Sequence, residues 1–218
     1  MRNLGIFYSN NNNPDIYPAI KMSLDSISYA SKDKADIITC VWNSIPGNHF
    51  TELIAWTQTT SHLNQVLQIM QCLYYAREQD EYKYVSFLEH DVLYPVGYFD
   101  HPEFKRGEIM TNMNYGGMIK EGFQKRKEVR KDEPFHQMTM RFDDAISHCE
   151  HILVNALVTN DGLIESDRHK RLQWNSASES IHINHGSHFT SHFSIYNSEN
   201  LVKIHPYWGE VSRYKHLF

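Results

Sequence analysis

The stretch Tyr84-Val-Ser-Phe-Leu-Glu-His-Asp-Val-Leu-Tyr-Pro95 decides the fold of this chain. Its first five residues are rich in aromatic and branched side chains, which predicts a buried strand. That strand runs directly into Glu89-His90-Asp91. Alternate side chains of an extended chain point the same way, so the two carboxylates can reach one small volume. Two acids held that close repel each other unless a cation or a proton lies between them.

The segments before this strand predict an alternation of strands and helices. Leu4–Ser9 and Asp36–Trp42 are short apolar runs that predict two further buried strands. Between the strands, apolar residues repeat at the three-four spacing of one helix face. These positions are Ile20, Leu24 and Ile27 in the first helix, and Leu63, Val66, Leu67, Met70, Leu73 and Tyr74 in the second, which Ser61 can cap.

The second half of the chain carries weaker patterns. Glu108–Tyr115 predicts a strand that Gly116-Gly117 stops, and 193–196 predicts another. A third helix is predicted to begin at Asp143-Asp144, because acids suit a helix N-terminus. Its predicted buried face consists of Ile146, Cys149, Ile152, Leu153, Ala156 and Leu157.

The order strand-helix-strand-helix-strand predicts the α/β class, with a mainly parallel central sheet flanked by helices and right-handed crossovers. Such sheets bind ligands in the crevice beyond the carboxyl ends of their strands. Glu89-His90-Asp91 lies at such an end. No internal repeat or linker divides the 218 residues, so we expect one domain over 1–218.

Composition narrows the functional classes. Cys40, Cys72 and Cys149 lie in apolar periodic segments, which favours buried free thiols and a reducing compartment. No apolar run approaches the ~20 residues of a membrane helix, and the N-terminus lacks a signal-peptide pattern. We therefore expect a cytoplasmic protein without membrane contact. The net charge of −5 does not indicate an overall affinity for nucleic acid.

The segment Tyr84–Pro95 resembles the strand and acidic motif of GT-A-type glycosyltransferases of the family-two-like kind. Glu89 departs from the commonest Asp-X-Asp form but keeps the charge. Asn64, which lies 25 residues before Glu89, resembles an asparagine that these enzymes carry. The resemblance covers the first half of the chain and is specific around 84–95. The compact size and the wording of the motif are also similar to small phage-encoded transferases, which would act in the host cytoplasm.

This resemblance implies a hexosyl- or pentosyltransferase whose donor is a nucleotide diphosphate sugar. Residues 1–115 would form the nucleotide-sugar-binding half and 116–218 the acceptor-side half. Tyr8, Ser9, Asn10 and Asn64, together with Glu89, His90 and Asp91, would bind the donor. Glu89 and Asp91 would hold Mn²⁺ or Mg²⁺, which are hard cations that seek oxygen ligands.

The family adds a late histidine or acid as a further metal ligand. The stretch 181–192 offers four histidines, which are His182, His185, His188 and His192. His185 and His188 are the preferred candidates, with a slight preference for His188. A self-contained zinc site is an open alternative, although the stretch lacks the cysteine pairs that would indicate one strongly.

Two features bear on the acceptor. If the enzyme inverts configuration, the resemblance implies a general base near the start of the acceptor-side helix, where Asp143 and Asp144 stand. Helix capping explains the same acids equally well. The basic run Lys120–Lys131 either is a solvated loop or holds the phosphates of a DNA acceptor that presents a hydroxymethylated base.

Two other classes of function remain open at this stage. The same acids and histidines could serve a metal-dependent hydrolase or phosphoesterase, which needs a water nucleophile and no sugar-nucleotide pocket. Lys120–Lys131 with neighbours such as Phe123 could instead belong to a nucleic-acid-binding module. The chain contains no Gly-X-Gly-X-X-Gly or Walker motif, which argues against dinucleotide and ATP binding.

Overall fold

A computed structural model of the chain describes residues 2–59, 62–125, 137–159, 169–184 and 201–218. Within these residues the chain forms three α-helices and thirteen strands. In chain order these are β1 (Arg2–Ser9), α1 (Tyr17–Ser31), β2 (Ala35–Val41), β3 (Thr51–Ile54), α2 (His62–Gln79), β4 (Tyr82–Glu89), β5 (Val92–Leu93), β6 (Glu108–Asn112), β7 (Tyr115–Ile119), β8 (Gly122–Gln124), β9 (Met138–Arg141), α3 (Phe142–Thr159), β10 (Lys170–Trp174), β11 (Ser180–Ile183), β12 (Ile204–His205) and β13 (Gly209–Glu210).

The central sheet has seven strands in the order β10-β6-β9-β4-β1-β2-β3. Strand β9 is antiparallel to both β4 and β6, and every other neighbouring pair is parallel. The predicted α/β class with a mainly parallel sheet is therefore confirmed. Six strands end along one side of the sheet, which we call the carboxyl edge. Strand β4 brings Glu89 to this edge.

Helices cover both faces of the central sheet. Leu4, Ile6 and Tyr8 of β1 pack on one face of the sheet with apolar residues of α2 and α3. Phe7 packs on the other face with apolar residues of α1, among them Ile20 and Ile27. Gly5 also faces α1, where an added Cβ would lie 2.5 Å from Cδ1 of Ile37. Strand β1 is thus buried on both faces, as its continuous apolar run predicts.

A smaller sheet with the strand order β5-β11-β7-β8 lies beside the central one. One face of it packs with Ala19 of α1 and with a short C-terminal 3-10 helix, Val211–Leu217. The prediction that Gly116-Gly117 stops a strand is wrong, because both glycines lie inside β7. At Gly116 an added Cβ would lie 2.8 Å from Oε1 of Glu179, so glycine here admits a close neighbour.

The helices agree with the predicted periodicity, and all three cysteines are free and buried as predicted. In α3, Cys149 and Ile152 are buried, whereas Ile146 and Leu153 are partly buried. The side chains of Ala156 and Leu157 lie outside the described residues, as do Ser61 and the predicted strand at 193–196. Strand β3 was not predicted. None of the helices in the described part of the chain combines the length and apolar character that a membrane crossing requires.

Candidate functional site

Glu89 ends β4 at the carboxyl edge and is held by two tyrosines. Tyr8 pairs with it across the β1–β4 ladder, and the Tyr8 hydroxyl donates to Glu89 Oε1 at 3.0 Å. The Tyr94 hydroxyl accepts from the Glu89 backbone N–H at 2.8 Å. Burial and the nearby Glu89 carboxylate raise the pKa of Tyr8 well above its usual value. Tyr8 therefore keeps its proton and orients the carboxylate.

Helix α1 holds the turn that follows Glu89. The buried Ser23 hydroxyl lies 2.8 Å from the Val92 carbonyl oxygen and 3.1 Å from the Glu89 carbonyl oxygen. The Ser26 hydroxyl accepts from the Tyr94 backbone N–H at 3.0 Å. Serine hydroxyls thus satisfy backbone groups that the tight turn leaves unpaired. These contacts fix the position of Asp91 relative to the sheet.

The partner of Asp91 comes from the second half of the chain. Strand β11 pairs antiparallel with β5, which sets His182 opposite Val92, and the Ile183 N–H donates to the Asp91 carbonyl at 2.7 Å. His182 Nε2 lies 3.0 Å from Asp91 Oδ2, and the two side chains are 6% and 18% exposed. Burial by itself lowers the pKa of His182, but the charge and hydrogen bond of Asp91 and the charge of Glu89 outweigh it and raise the pKa.

Glu89, Asp91 and His182 could together hold a metal ion. Each offers one ligand atom, and these atoms all lie within 4.8 Å of one another. In a six-coordinate ion with bonds of about 2.1 Å, adjacent ligands lie about 3.0 Å apart and opposite ligands about 4.2 Å apart. The observed spacing fits such an ion after a small contraction. Two carboxylates and one imidazole suit Mn²⁺. They also suit Mg²⁺, although Mg²⁺ has a lower affinity for nitrogen ligands than Mn²⁺ has.

The loops after β1 and β2 adjoin this site. Of the residues predicted to bind the donor, Ser9 is buried and its carbonyl accepts from Gln68 Nε2 at 3.0 Å, while Asn10 is partly exposed. Asn11, which sequence reasoning missed, is fully buried. Its Oδ1 accepts from the N–H groups of Trp42 and Asn43 at 2.9 and 3.0 Å, so it ties the two loops together.

Asn64 lies in the first turn of α2 and is buried. With its amide oriented to satisfy both ends, Nδ2 donates to the Thr57 carbonyl at 2.8 Å and Oδ1 accepts from Trp42 Nε1 at 3.0 Å. Its polar groups therefore hold the segment after β3 in place. His90 is partly exposed between the two carboxylates. The structure thus brings Tyr8, Glu89, His90 and Asp91 together.

Asp143 and Asp144 lie at the opposite end of the sheet. They follow Arg141, which pairs with Tyr84 near the start of β4. Five residues of extended strand separate Tyr84 from Glu89, a distance of about 16 Å. Asp143 is exposed, whereas Asp144 is buried and accepts from the Gly107 backbone N–H at 2.7 Å. Their position fits support of the turn before β6, and the structure does not bring them to the carboxylate pair.

The preferred late histidines, His185 and His188, lie outside the described residues. His182 was one of the four histidines in the stretch but was not preferred. The sequence pattern that could have identified His182 is the alternation Ser180-Ile-His-Ile183. This alternation places the histidine on the face of a strand opposite its apolar neighbours. That polar face is the one that meets Asp91.

A buried polar cluster also reaches the carboxyl edge from the second half of the chain. Asn112 ends β6, and its Nδ2 donates to Gln137 Oε1 at 3.1 Å. Its Oδ1 accepts from the Ser176 N–H at 3.0 Å. Gln137 Nε2 is buried and has no hydrogen-bond partner among the described residues. Sequence reasoning did not find this cluster, because isolated amides give no periodic signal.

Comparison with known proteins bears on the fold. No protein-family model matches the chain, and no curated protein matches its sequence. A solved glycosyltransferase involved in glycosylation of the major capsid of PBCV-1 is similar at 9% identity and a TM-score of 0.50, over 84% of this chain and 92% of that one. A protein from Desulfovibrio desulfuricans G20, described as a nucleotide-diphospho-sugar transferase, is 10% identical with a TM-score of 0.48, over 90% and 92% of the two chains.

The glycosyltransferase GlyE of Streptococcus pneumoniae TIGR4 is 8% identical with a TM-score of 0.47, over 79% of this chain and 45% of that one. The likeness to the PBCV-1 enzyme shows the fold, at an identity too low to carry more. The chain has the fold of GT-A-type glycosyltransferases, as its acidic motif led us to expect.

Proposed function

We propose that this chain is a glycosyltransferase that takes its sugar from a nucleotide diphosphate sugar and holds a divalent metal at Glu89, Asp91 and His182. The observation that carries the proposal is the convergence of these three side chains at the carboxyl edge of a GT-A-type sheet. Ligands of parallel α/β sheets bind at this edge. Two carboxylates and a histidine leave positions of a six-coordinate ion for diphosphate oxygens.

When bound, Mn²⁺ or Mg²⁺ would supply a Lewis acid that stabilises negative charge on the departing diphosphate. The chain's own residues prepare the site for that ion. The Tyr8 hydroxyl donates to Oε1 of Glu89 and so orients the carboxylate at the carboxyl edge. Ser23 fixes the turn that positions Asp91. Deprotonated His182 offers Nε2, since a histidine ligand must be neutral.

The donor's nucleoside would lie along the loops that follow β1 and β2, near Tyr8, Ser9, Asn10 and Asn64. Asn11 and Asn64 are occupied with backbone and indole partners, so they would shape this part of the site more than contact the ligand. The transferred sugar would then face the buried cluster of Asn112 and Gln137.

The test is a panel of nucleoside diphosphates and nucleotide sugars, with and without Mn²⁺, followed by thermal shift and by release of free sugar. Metal and nucleotide should stabilise the protein together more than the sum of each alone, because each completes the other's site. Asp91→Asn should remove this joint effect, and Asp143→Asn is its matched control, since Asp143 is an exposed acid at the far end of the sheet. Equal shifts from the nucleotide with and without metal would contradict a shared site.

For the acceptor we propose a hydroxyl group, and one form of this proposal is a hydroxymethylated DNA base held through Lys120–Lys131. Lys120 and Lys125 flank β8, and both are exposed. Replacing Lys125, Arg126 and Lys127 by Ala should flatten the salt dependence of duplex binding, because each lost phosphate contact reduces the logarithmic slope by about 0.9. An unchanged slope would identify the run as a solvated loop.

A further inference from the structure

A pocket outside the carboxylate site lies against β8 of the small sheet. It is lined by β8 and Lys125, by the segment 177–179 together with Asn114, and by the segment 202–207. This segment is anchored to β8, because Val202 and Phe123 exchange two backbone hydrogen bonds of 2.9 and 3.0 Å. The pocket volume is about 410 Å³. Small-molecule sites commonly fall between about 300 and 1,000 Å³.

The pocket contains a carboxylate in a fixed orientation. Glu179 Oε2 lies 2.8 Å from His205 Nε2. His205 Nδ1 accepts from the N–H groups of Tyr207 and Trp208 at 3.1 and 3.2 Å. Because Nδ1 is an acceptor, the ring proton lies on Nε2 and is donated to Glu179. Trp208 Nε1 also donates to the Glu179 carbonyl at 2.7 Å, which fixes the residue at a second point.

The second oxygen of Glu179 remains available to a ligand. The structure records no hydrogen bond to Oε1 within the described part of the chain, and this oxygen lies against the bare backbone of Gly116. Gln124 also lines the pocket, and its buried Oε1 has no partner among the described residues. A buried acceptor without a donor costs free energy, so a ligand or water that donates to it is stabilising. Glu179 Oε1 and Gln124 Oε1 are both acceptors, and the side chains of Ser178 and Lys125 also line the pocket.

The opposite wall is apolar and exposed. Ile204 is 62% exposed and Tyr207 is 42% exposed, and Val202 continues the same surface. Acceptors on one side and an aromatic and aliphatic wall on the other suit a ligand with hydroxyl donors along one edge and a C–H face. A saccharide ring has that chemistry. The Glu179 carboxylate repels phosphate, so a nucleic-acid backbone fits less well, although Lys125 lies on the rim.

We propose that this pocket is a binding site for a neutral saccharide, separate from the proposed donor site. Glu179 stands three residues before His182, so the two side chains project from opposite faces of the extended segment. Glu179 shares its face with Ile181, which packs against Phe123 and the C-terminal helix. His182 faces Asp91. The proposal stands independently of sugar transfer at the carboxyl edge.

The test uses methyl glycosides of glucose, galactose, mannose and N-acetylglucosamine as probes, without metal or nucleotide. Binding is measured by saturation-transfer NMR and calorimetry. At least one glycoside should bind with a Kd in the millimolar range. Glu179→Gln should weaken it about tenfold or more, because the amide turns its oxygen to His205 and presents N–H groups to the pocket. Tyr207→Ala should weaken it similarly.

Tyr29→Ala is the matched control, because Tyr29 is 74% exposed near the end of α1. It should bind the glycoside as the wild type does. Absence of binding at tens of millimolar, or equal binding by wild type, Glu179→Gln and Tyr207→Ala, would overturn the proposal. Binding of benzylamine or of a short single-stranded oligonucleotide in place of every glycoside would also overturn it. Failure of nucleotide binding in the same protein would count against the proposed transferase function alone.

Discussion

Replacing His182 by Gln gives the sharpest test of the metal site. His182 is the proposed third metal ligand, which the sequence analysis ranked behind His185 and His188, and its side chain contacts Asp91. Gln keeps a side chain of similar reach that can still hydrogen-bond Asp91, but it is a poor metal ligand. The fold should therefore survive, while metal affinity falls.

The size of the effect follows from the geometry. The contact with Asp91 is short, at 3.0 Å, and mostly buried, so weakening it costs about 1–2 kcal/mol of the free energy of unfolding. For a chain of 218 residues this lowers Tm by about 2–8 °C. The metal effect is separate. Loss of one of three protein ligands should weaken Mn²⁺ binding about 100-fold, the upper end of the effect of outer partners.

Thermal unfolding with and without Mn²⁺ distinguishes the two effects. At a concentration 100 times the wild-type Kd, Mn²⁺ stabilises the wild type by about 2.7 kcal/mol, which is about 5–11 °C. The same concentration equals the Kd of the variant and stabilises it by about 0.4 kcal/mol, which is about 1–2 °C. His49→Gln, an exposed control, should respond as the wild type does. Wild-type stabilisation of His182→Gln by Mn²⁺ would refute the assignment of His182 as a ligand.

Three further predictions follow from single residues. Asp91→Asn should abolish sugar transfer. It should shift Tm by only a few degrees, because the backbone carbonyl of residue 91 still accepts from β11. Full transferase activity of this variant would contradict the proposed metal site. Gly5→Ala should lower the free energy of unfolding, measured with denaturant, by about 1–3 kcal/mol, because the added Cβ would lie 2.5 Å from Ile37 Cδ1. Adding Ile37→Val should restore part of this free energy. An unchanged denaturation midpoint for Gly5→Ala would contradict the packing. Burial lowers the pKa of His101 below 6.5, so the unfolded chain binds the proton first. The free energy of unfolding should therefore fall as the pH drops below about 6.5, and His101→Phe should flatten this slope in unfolding measured from pH 5 to 7.

The first half of the fold could be predicted from the sequence because its elements are strongly periodic. Strands β1, β2 and β4 are buried on both faces and therefore appear as continuous apolar runs. Strand β3 escaped prediction for the opposite reason. It is an edge strand of only four residues, Thr51–Ile54, whose outer two residues are exposed and whose inner two are partly buried. It therefore lacks the continuous apolar run that predicts a buried strand.

The site could be predicted only as far as local sequence reaches. Glu89 and Asp91 follow a strong strand, so their position at the carboxyl edge was predictable. His182 depends on the pairing of β5 with β11, which periodicity alone does not specify. The role of Asp144 could not be predicted from the sequence either, because an acid in the first turn of a helix is equally typical of a general base and of a helix cap. Only the antiparallel insertion of β9 reveals that α3 begins at the far end of the sheet.

The pairing of β5 with β11 also sets when the site can form during synthesis. His182 and Asp91 are 91 positions apart, so the ribosome needs about 5–18 s to add the residues between them. During that interval Glu89 and Asp91 belong to a nascent chain that does not yet contain their histidine. The carboxylate pair is therefore complete before His182 has been synthesised, and the proposed three-ligand metal site can form only once β11 has joined β5. A nascent chain that stops before Ser180 carries the acidic motif without the site.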